Sequence, residues 1–172
     1  MRKKFEHMED ADSLDKIKEF KERLSKYLPN LKTQIEETSP EKIKAMIPFV
    51  IDRIQIYGEV AEFNYLFELP DYKSEKSLKS LNKVKAGSDQ NKKILYDLYQ
   101  RFDKITEKEF ETNNISKICG EYLYENKGVL KNEDVYHLLR YILSGIHSGG
   151  PVGKIMEILG KEEVLKRIRP WL

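Results

Sequence analysis

The chain has 172 residues, of which 40% are hydrophobic and 35% are charged, so it is long enough and apolar enough to bury a real core. Its 31 Lys and Arg residues nearly balance 29 Asp and Glu residues, which excludes a polybasic coat and confines any nucleic-acid contact to local patches. A single cysteine, Cys119, excludes an internal disulfide and fits a reducing compartment.

No apolar run approaches the roughly 20 residues that span a bilayer, and the basic residues 1–4 are not followed by a signal-peptide core. We therefore expect a monomer that makes no membrane contact. Its expected location is the cytoplasm or the mitochondrial matrix.

Apolar residues recur at helical spacing almost throughout, and no period-two run is long enough for a sheet, so the predicted fold class is all-α. The first helix is predicted to be capped by Asp12 or Ser13 and to bury one apolar face; the residues on that face are Leu14, Ile17, Leu24 and Leu28. The second helix starts at Ser39-Pro40, and Pro48 inside it predicts a kink or two short helices. An aromatic helix is predicted over residues 60–69.

The composition then shifts to lysine and serine over residues 73–85, followed by a turn. This shift predicts two consecutive helical subdomains, residues 1–86 and 87–172. In the second subdomain, helices are predicted around residues 94–102, from Thr112 or Asn113, and from Asn132 through Arg140.

The last stretch, residues 138–172, carries two helix ends that meet at a glycine-rich corner. One helix ends near Ser144-Gly145, and the turn 148–151 leads into the next helix, with Pro151 predicted at its first position. Backbone N–H groups at such a helix start attract anions, so a phosphate or nucleotide is the expected ligand.

Two lysine- and arginine-rich clusters differ in their expected role. For the first, Lys73, Lys76, Lys79, Lys83 and Lys85, a solvated helix face is favoured over RNA contact. The second cluster surrounds the corner near Arg140, so RNA contact is favoured, with Lys154, Lys161 and Arg167 as supporting phosphate contacts.

Catalytic motifs are missing from the sequence. No nucleophile elbow, phosphate-binding loop or dinucleotide motif occurs, and His7, His137 and His147 have no metal-ligand spacing. We predict no catalytic residue, no metal and no cofactor in this chain, and therefore no catalysis by the chain alone.

The order and spacing of the corner resemble the end of the anticodon-binding region of bacterial-type and mitochondrial glutamyl-tRNA synthetases, which are class I enzymes. The matching residues are Arg140, then Leu143-Ser144-Gly145, then Gly149-Gly150-Pro151-Val152, and finally an apolar helix that ends in Gly160-Lys161-Glu162. Upstream, residues 46–50 with Arg53, and residues 58–67, are similar to that family's helix pair after the catalytic body. Residues 3–8 are faintly similar to the segment that leads into it.

The resemblance implies a helix cage that binds the anticodon of a tRNA, most simply a glutamate tRNA. By the resemblance, Arg140 contacts an anticodon base, Gly149, Gly150, Pro151 and Val152 pack against the second and third bases, Ser144 stands in for a threonine, and Arg53 senses the first base. The bare backbone at Gly149-Gly150 leaves discrimination between glutamate and glutamine tRNA open.

The family's catalytic half is missing, with no HIGH-like segment, and Lys73-Ser74-Glu75-Lys76-Ser77 matches the KMSKS signature only by chance. The first hypothesis is therefore a fragment of a glutamate–tRNA ligase, whose absent half would use ATP and Mg. The alternatives are a free-standing synthetase-like module that binds RNA or a synthetase, and a helical protein–protein adapter.

Overall fold

A computed structural model describes residues 14–85 and 87–172, apart from the side chain of Tyr57. The predicted cap at Asp12 or Ser13 and the segment 3–8 lie outside the described residues. Within them the secondary structure is helical and contains no strand, so the all-α prediction is confirmed. The chain forms two compact units, Met1–Glu68 and Leu69–Leu172.

The first unit contains α1 (Leu14–Tyr27), α2 (Lys32–Glu37) and α3 (Pro40–Ile51). Ile17, Leu24 and Leu28 are buried as predicted, whereas Leu14 is 76% exposed. Ser39 caps α3 by accepting a hydrogen bond from the Lys42 N–H, so the predicted start of this helix is confirmed.

Pro48 lies within α3, which runs as a single helix to Ile51 rather than as the two short helices that the sequence also allowed. Pro48 and Lys44 are both exposed, so water can solvate the carbonyl that the proline ring deprives of a helical donor. The residues on either side of Pro48, Ile47 and Phe49, are buried and hold the helix on the core.

The aromatic segment differs from its prediction. It forms a 3₁₀ helix over Tyr57–Leu66, with a non-helical residue at Phe63, instead of an α-helix over residues 60–69. Val60, Phe63 and Leu66 are buried, and their spacing of three matches the three residues per turn of a 3₁₀ helix. Burial of this stripe explains why the tighter helix forms here.

The described residues of the second unit form α4 (Glu75–Val84), α5 (Asp89–Lys104), α6 (Thr112–Glu125), α7 (Asn132–Ser144), α8 (Val152–Leu159) and α9 (Lys161–Ile168), with 3₁₀ turns at Glu107–Glu109 and Arg169–Trp171. The lysine-rich helix α4 packs against α7 and belongs to this unit. Along the chain, the compact units divide between residues 68 and 69, whereas the composition predicted a subdomain boundary between residues 86 and 87.

Helix α7 packs against α4, α5, α8 and α9. Its apolar side chains are fully enclosed, among them Val135, Leu138 and Ile142. The close approach of α8 to α6 favours a glycine, because a Cβ on Gly153 would lie 3.2 Å from the Ser116 Oγ and 3.3 Å from the Thr112 carbonyl oxygen, both tight contacts. Within the described residues, no helix combines the length and apolar character that a membrane span needs.

Candidate nucleic-acid interface

Local sequence sets both ends of α7. The Asp134 carboxylate accepts a hydrogen bond from the Lys131 N–H at 2.7 Å and so caps the first turn. At the other end, Gly145 adopts a left-handed conformation with φ 77°, and its N–H donates to the Tyr141 carbonyl. A Cβ at Gly145 would lie 3.0 Å from the Pro70 Cβ, so both conformation and space favour glycine here.

A side chain from outside α7 and one from its own last residue bind carbonyls near the end of the helix. The Tyr72 hydroxyl donates to the Ile142 carbonyl at 2.5 Å, and the Ser144 hydroxyl donates back to the Arg140 carbonyl at 2.8 Å. Tyr72 also packs edge-on against Trp171 at 5.4 Å between ring centroids, and burial raises the pKa of Tyr72 to about 12. These contacts fix the end of the helix from which the corner departs.

Arg140 braces the loop between α7 and α8. Its Nε donates to the Gly150 carbonyl at 2.9 Å, and its Nη1 donates to the His147 carbonyl at 2.7 Å. The planar guanidinium fork thus holds both sides of a short loop from one side chain. Arg140 is only half-buried, so part of this residue is open to solvent at the corner that it shapes.

The loop between α7 and α8 exposes some of its residues to solvent and buries others. Gly149 and Pro151 are exposed, whereas Gly150 and Val152 are buried. Gly149 has φ 130°, and a Cβ there would lie 3.8 Å from the Arg140 Cδ. Pro151 is the residue before α8, which begins at Val152, one position later than predicted.

A group of side chains that the sequence did not connect lies beside this loop. The His147 Nδ1 lies 3.1 Å from the Ser80 Oγ of α4, and the His147 ring packs edge-on against His137 at 5.6 Å. Burial, with positive charge on Lys83, His137 and Arg140, lowers the pKa of His147. Only the lysine-rich composition of residues 73–85 hinted at this surface, and it could not show that α4 reaches the corner.

The KMSKS-like run has a structural role at the start of α4. Ser74 caps the helix by accepting from the Ser77 N–H, and Ser77 is buried. The run therefore lies at the start of a helix, which is consistent with a chance match to the KMSKS signature.

Two of the predicted phosphate-contacting lysines are engaged within the protein. The Lys154 Nζ bonds the Glu157 carboxylate at 2.8 Å, and Glu157 also accepts from the N–H and hydroxyl of Thr112. The Lys161 Nζ donates to the Asp103 and Ile105 carbonyls at 2.8 and 2.7 Å. The Lys154 contact therefore lies within α8, where Glu157 makes the link to α6, whereas Lys161 joins α9 to the end of α5. Contact of either lysine with phosphate stays a prediction.

Arg167 occupies a different environment from the one predicted. The residue is 3% exposed, its Nε donates to Glu163 at 2.8 Å, and its Nη1 donates to the Leu143 carbonyl at 2.6 Å. A guanidinium enclosed in this way cannot reach an external phosphate without leaving its partners. We therefore correct its role from phosphate contact to support of the α7 end.

Arg53 lies in the first unit, just after α3. Its Nη1 donates to the Phe49 carbonyl at 2.6 Å, and its guanidinium stacks over the Phe49 ring at 4.3 Å from the centroid. The residue is exposed, so a fixed, planar cation is presented to solvent.

Comparison with known proteins identifies the family. Residues 14–172 match the family model described as an anticodon binding domain. The chain belongs to this family. The anticodon-binding domain is 32% identical over 144 residues to a glutamate–tRNA ligase of Lachnoclostridium phytofermentans, covering 83% of this chain and 28% of that protein. A second glutamate–tRNA ligase, from Chlorobium chlorochromatii, is 28% identical over 145 residues, an alignment that covers 84% of this chain and 27% of that protein.

The fold of the domain is also similar to a solved structure. The crystal structure of a glutamate tRNA ligase from Elizabethkingia meningosepticum matches with a TM-score of 0.65 and 26% identity, covering 86% of this chain and 28% of that one. The chain thus spans a little over a quarter of the length of these relatives, and the resemblance found in the sequence is confirmed.

Proposed function

We propose that this anticodon-binding domain recognises the anticodon loop of a glutamate tRNA as part of a glutamate–tRNA ligase. The observation that carries the proposal is that Arg140 donates hydrogen bonds to two carbonyls of the loop formed by residues 146–151, which joins α7 to α8. The family match and the ligases to which the chain is similar support the same partner.

The proposed contacts divide by chemistry. Arg140, which is half-buried at the corner, is proposed to contact a base edge, because a planar guanidinium matches the acceptors of a base. Gly149 and Pro151 offer exposed backbone and ring surface against which unpaired bases can pack. Gly150, Val152 and Ser144 keep the loop in shape, the last through its bonds to the Arg140 and Ile146 carbonyls.

Arg53 is proposed as a separate contact to the first anticodon base, since its stacked guanidinium is exposed. Lys154 and Lys161 are proposed to add positive charge near the RNA. Ligation of glutamate with ATP and Mg is proposed for the remainder of such a ligase, in the cytoplasm or the mitochondrial matrix.

The test is binding of the 172-residue chain to a fluorescent RNA hairpin that carries the anticodon stem-loop of a glutamate tRNA, followed by anisotropy. We expect binding that weakens with salt. Arg140→Ala is expected to weaken the free energy of binding by about 1–3 kcal/mol, since it removes both the base-edge contact and the two bonds that hold the loop. A hairpin with the same stem and a scrambled anticodon is the matched control. Absence of binding at low salt, or equal affinity for both hairpins, would refute the proposal.

A further inference from the structure

Helix α4 brings polar and basic side chains to the surface beside the corner, and the proposed anticodon-loop contacts include none of them. Helix α4 packs on α7, and its Ser80 hydroxyl lies 3.1 Å from the His147 Nδ1. The carbonyl of the same histidine accepts from the Arg140 Nη1. Ser80 and Arg140 therefore contact the same residue, one at its ring and the other at its carbonyl, and α4 borders the corner.

The contact between Ser80 and His147 shows which side of α4 borders the corner, and hence which lysines lie there. Lys76, Ser80 and Lys83 are spaced at i, i+4 and i+7, which puts them along one side of the helix. Because Ser80 meets His147, this side borders the corner. Lys83 is exposed, and its charge acts on His147 together with those of His137 and Arg140.

We propose that Lys83, next to the Ser80-held His147, binds a backbone phosphate of the RNA whose loop occupies the corner. The inference rests on the proposed function and adds a phosphate site on α4 to it. An anionic backbone is the ligand that this chemistry fits, because exposed lysines bind phosphates as point charges whereas the braced Arg140 suits a base edge.

Salt dependence measures such a contact directly. Each phosphate contact contributes about 0.7–0.9 to the slope of log affinity against log salt concentration. For Lys83→Gln we therefore expect a slope that is shallower by about 0.7–0.9, and an affinity for the anticodon stem-loop hairpin that is about five- to eightfold weaker at 0.1 M salt. Because Lys83 is exposed, the melting temperature should stay within about 2 °C of wild type.

The matched control is Lys131→Gln, which removes the same charge from an exposed position just before α7, at the opposite end of that helix from the corner. It should leave the slope unchanged. Equal losses in the two variants would show a general charge effect and overturn the inference, as would an unchanged slope in Lys83→Gln while the wild type binds. Failure of the wild type to bind would instead refute the proposed function itself.

Discussion

Arg167 provides the sharpest test of whether a basic residue near the corner supports the fold or contacts RNA. The substitution Arg167→Met keeps a long, straight side chain and removes the charge. It deletes the bond to the Leu143 carbonyl at 2.6 Å and leaves that carbonyl without the guanidinium. It also deletes the bond to Glu163, whose side chain is 29% exposed, so that water can replace this partner.

The expected loss follows from those two bonds. A hydrogen bond from a charged donor contributes about 1.5–3 kcal/mol, and the partly solvated Glu163 contact adds little. We expect the free energy of unfolding to fall by about 2–4 kcal/mol, which for a chain of this length lowers the melting temperature by roughly 5–15 °C. Thermal unfolding followed by circular dichroism measures this shift.

The neighbouring Lys166→Met is the matched control, because it removes an equal charge from an exposed position 3.7 Å from the same Glu163. It should change stability by no more than about 0.5 kcal/mol. The two variants, measured well below their melting temperatures, should show the same salt slope for RNA binding. A stable Arg167→Met protein whose salt slope alone is shallower by about 0.7–0.9 would refute burial of this arginine and restore its phosphate contact.

Two further predictions concern the end of α7 and the histidine beside the corner. Gly145→Ala should lower the free energy of unfolding by about 1–3 kcal/mol, because φ is 77° and the new Cβ would contact Pro70. Gly120→Ala, in an open position within α6, should instead raise the free energy of unfolding by about 0.5–1 kcal/mol. Chemical denaturation measures both changes, and equal effects would contradict backbone strain at Gly145. His147 has a lowered pKa because of burial and of positive charge on Lys83, His137 and Arg140, so the unfolded chain binds more protons than the native one just below the ordinary value of 6.5. The stability due to neutral His147 is therefore present above pH 6.5 and lost as pH falls through the lowered pKa; His147→Gln should flatten this part of the stability profile, and an unchanged profile would contradict the assignment.

The helical class and most helix positions were predictable because they depend on local patterns. Ser39-Pro40 and Gly145 mark helix ends through capping and left-handed geometry, which a few neighbouring residues determine. The single cysteine, Cys119, is buried in the structure, and burial raises the pKa of this thiol to about 12. The 3₁₀ helix at Tyr57–Leu66 was missed because its spacing of three also fits part of an α-helical pattern.

The corner was found from the sequence because its residues lie within about a dozen positions along the chain. Arg140, Gly149 and Pro151 are close in sequence, and their order is specific enough to indicate the family. Their roles within the loop were less accessible, since the bonds from Arg140 to two loop carbonyls exist only in the folded chain.

The sequence by itself determined an all-helical chain, the glycine-rich corner and a resemblance to anticodon-binding regions, because periodicity, caps and ordered motifs are properties of neighbouring residues. The tertiary structure alone decided which charges face solvent. Arg167 and Lys83 look alike in a basic sequence, yet α9 packing encloses the first, while α4 packing leaves the second exposed beside His147. The difference arises because burial of a charge depends on helices that lie far apart in the sequence.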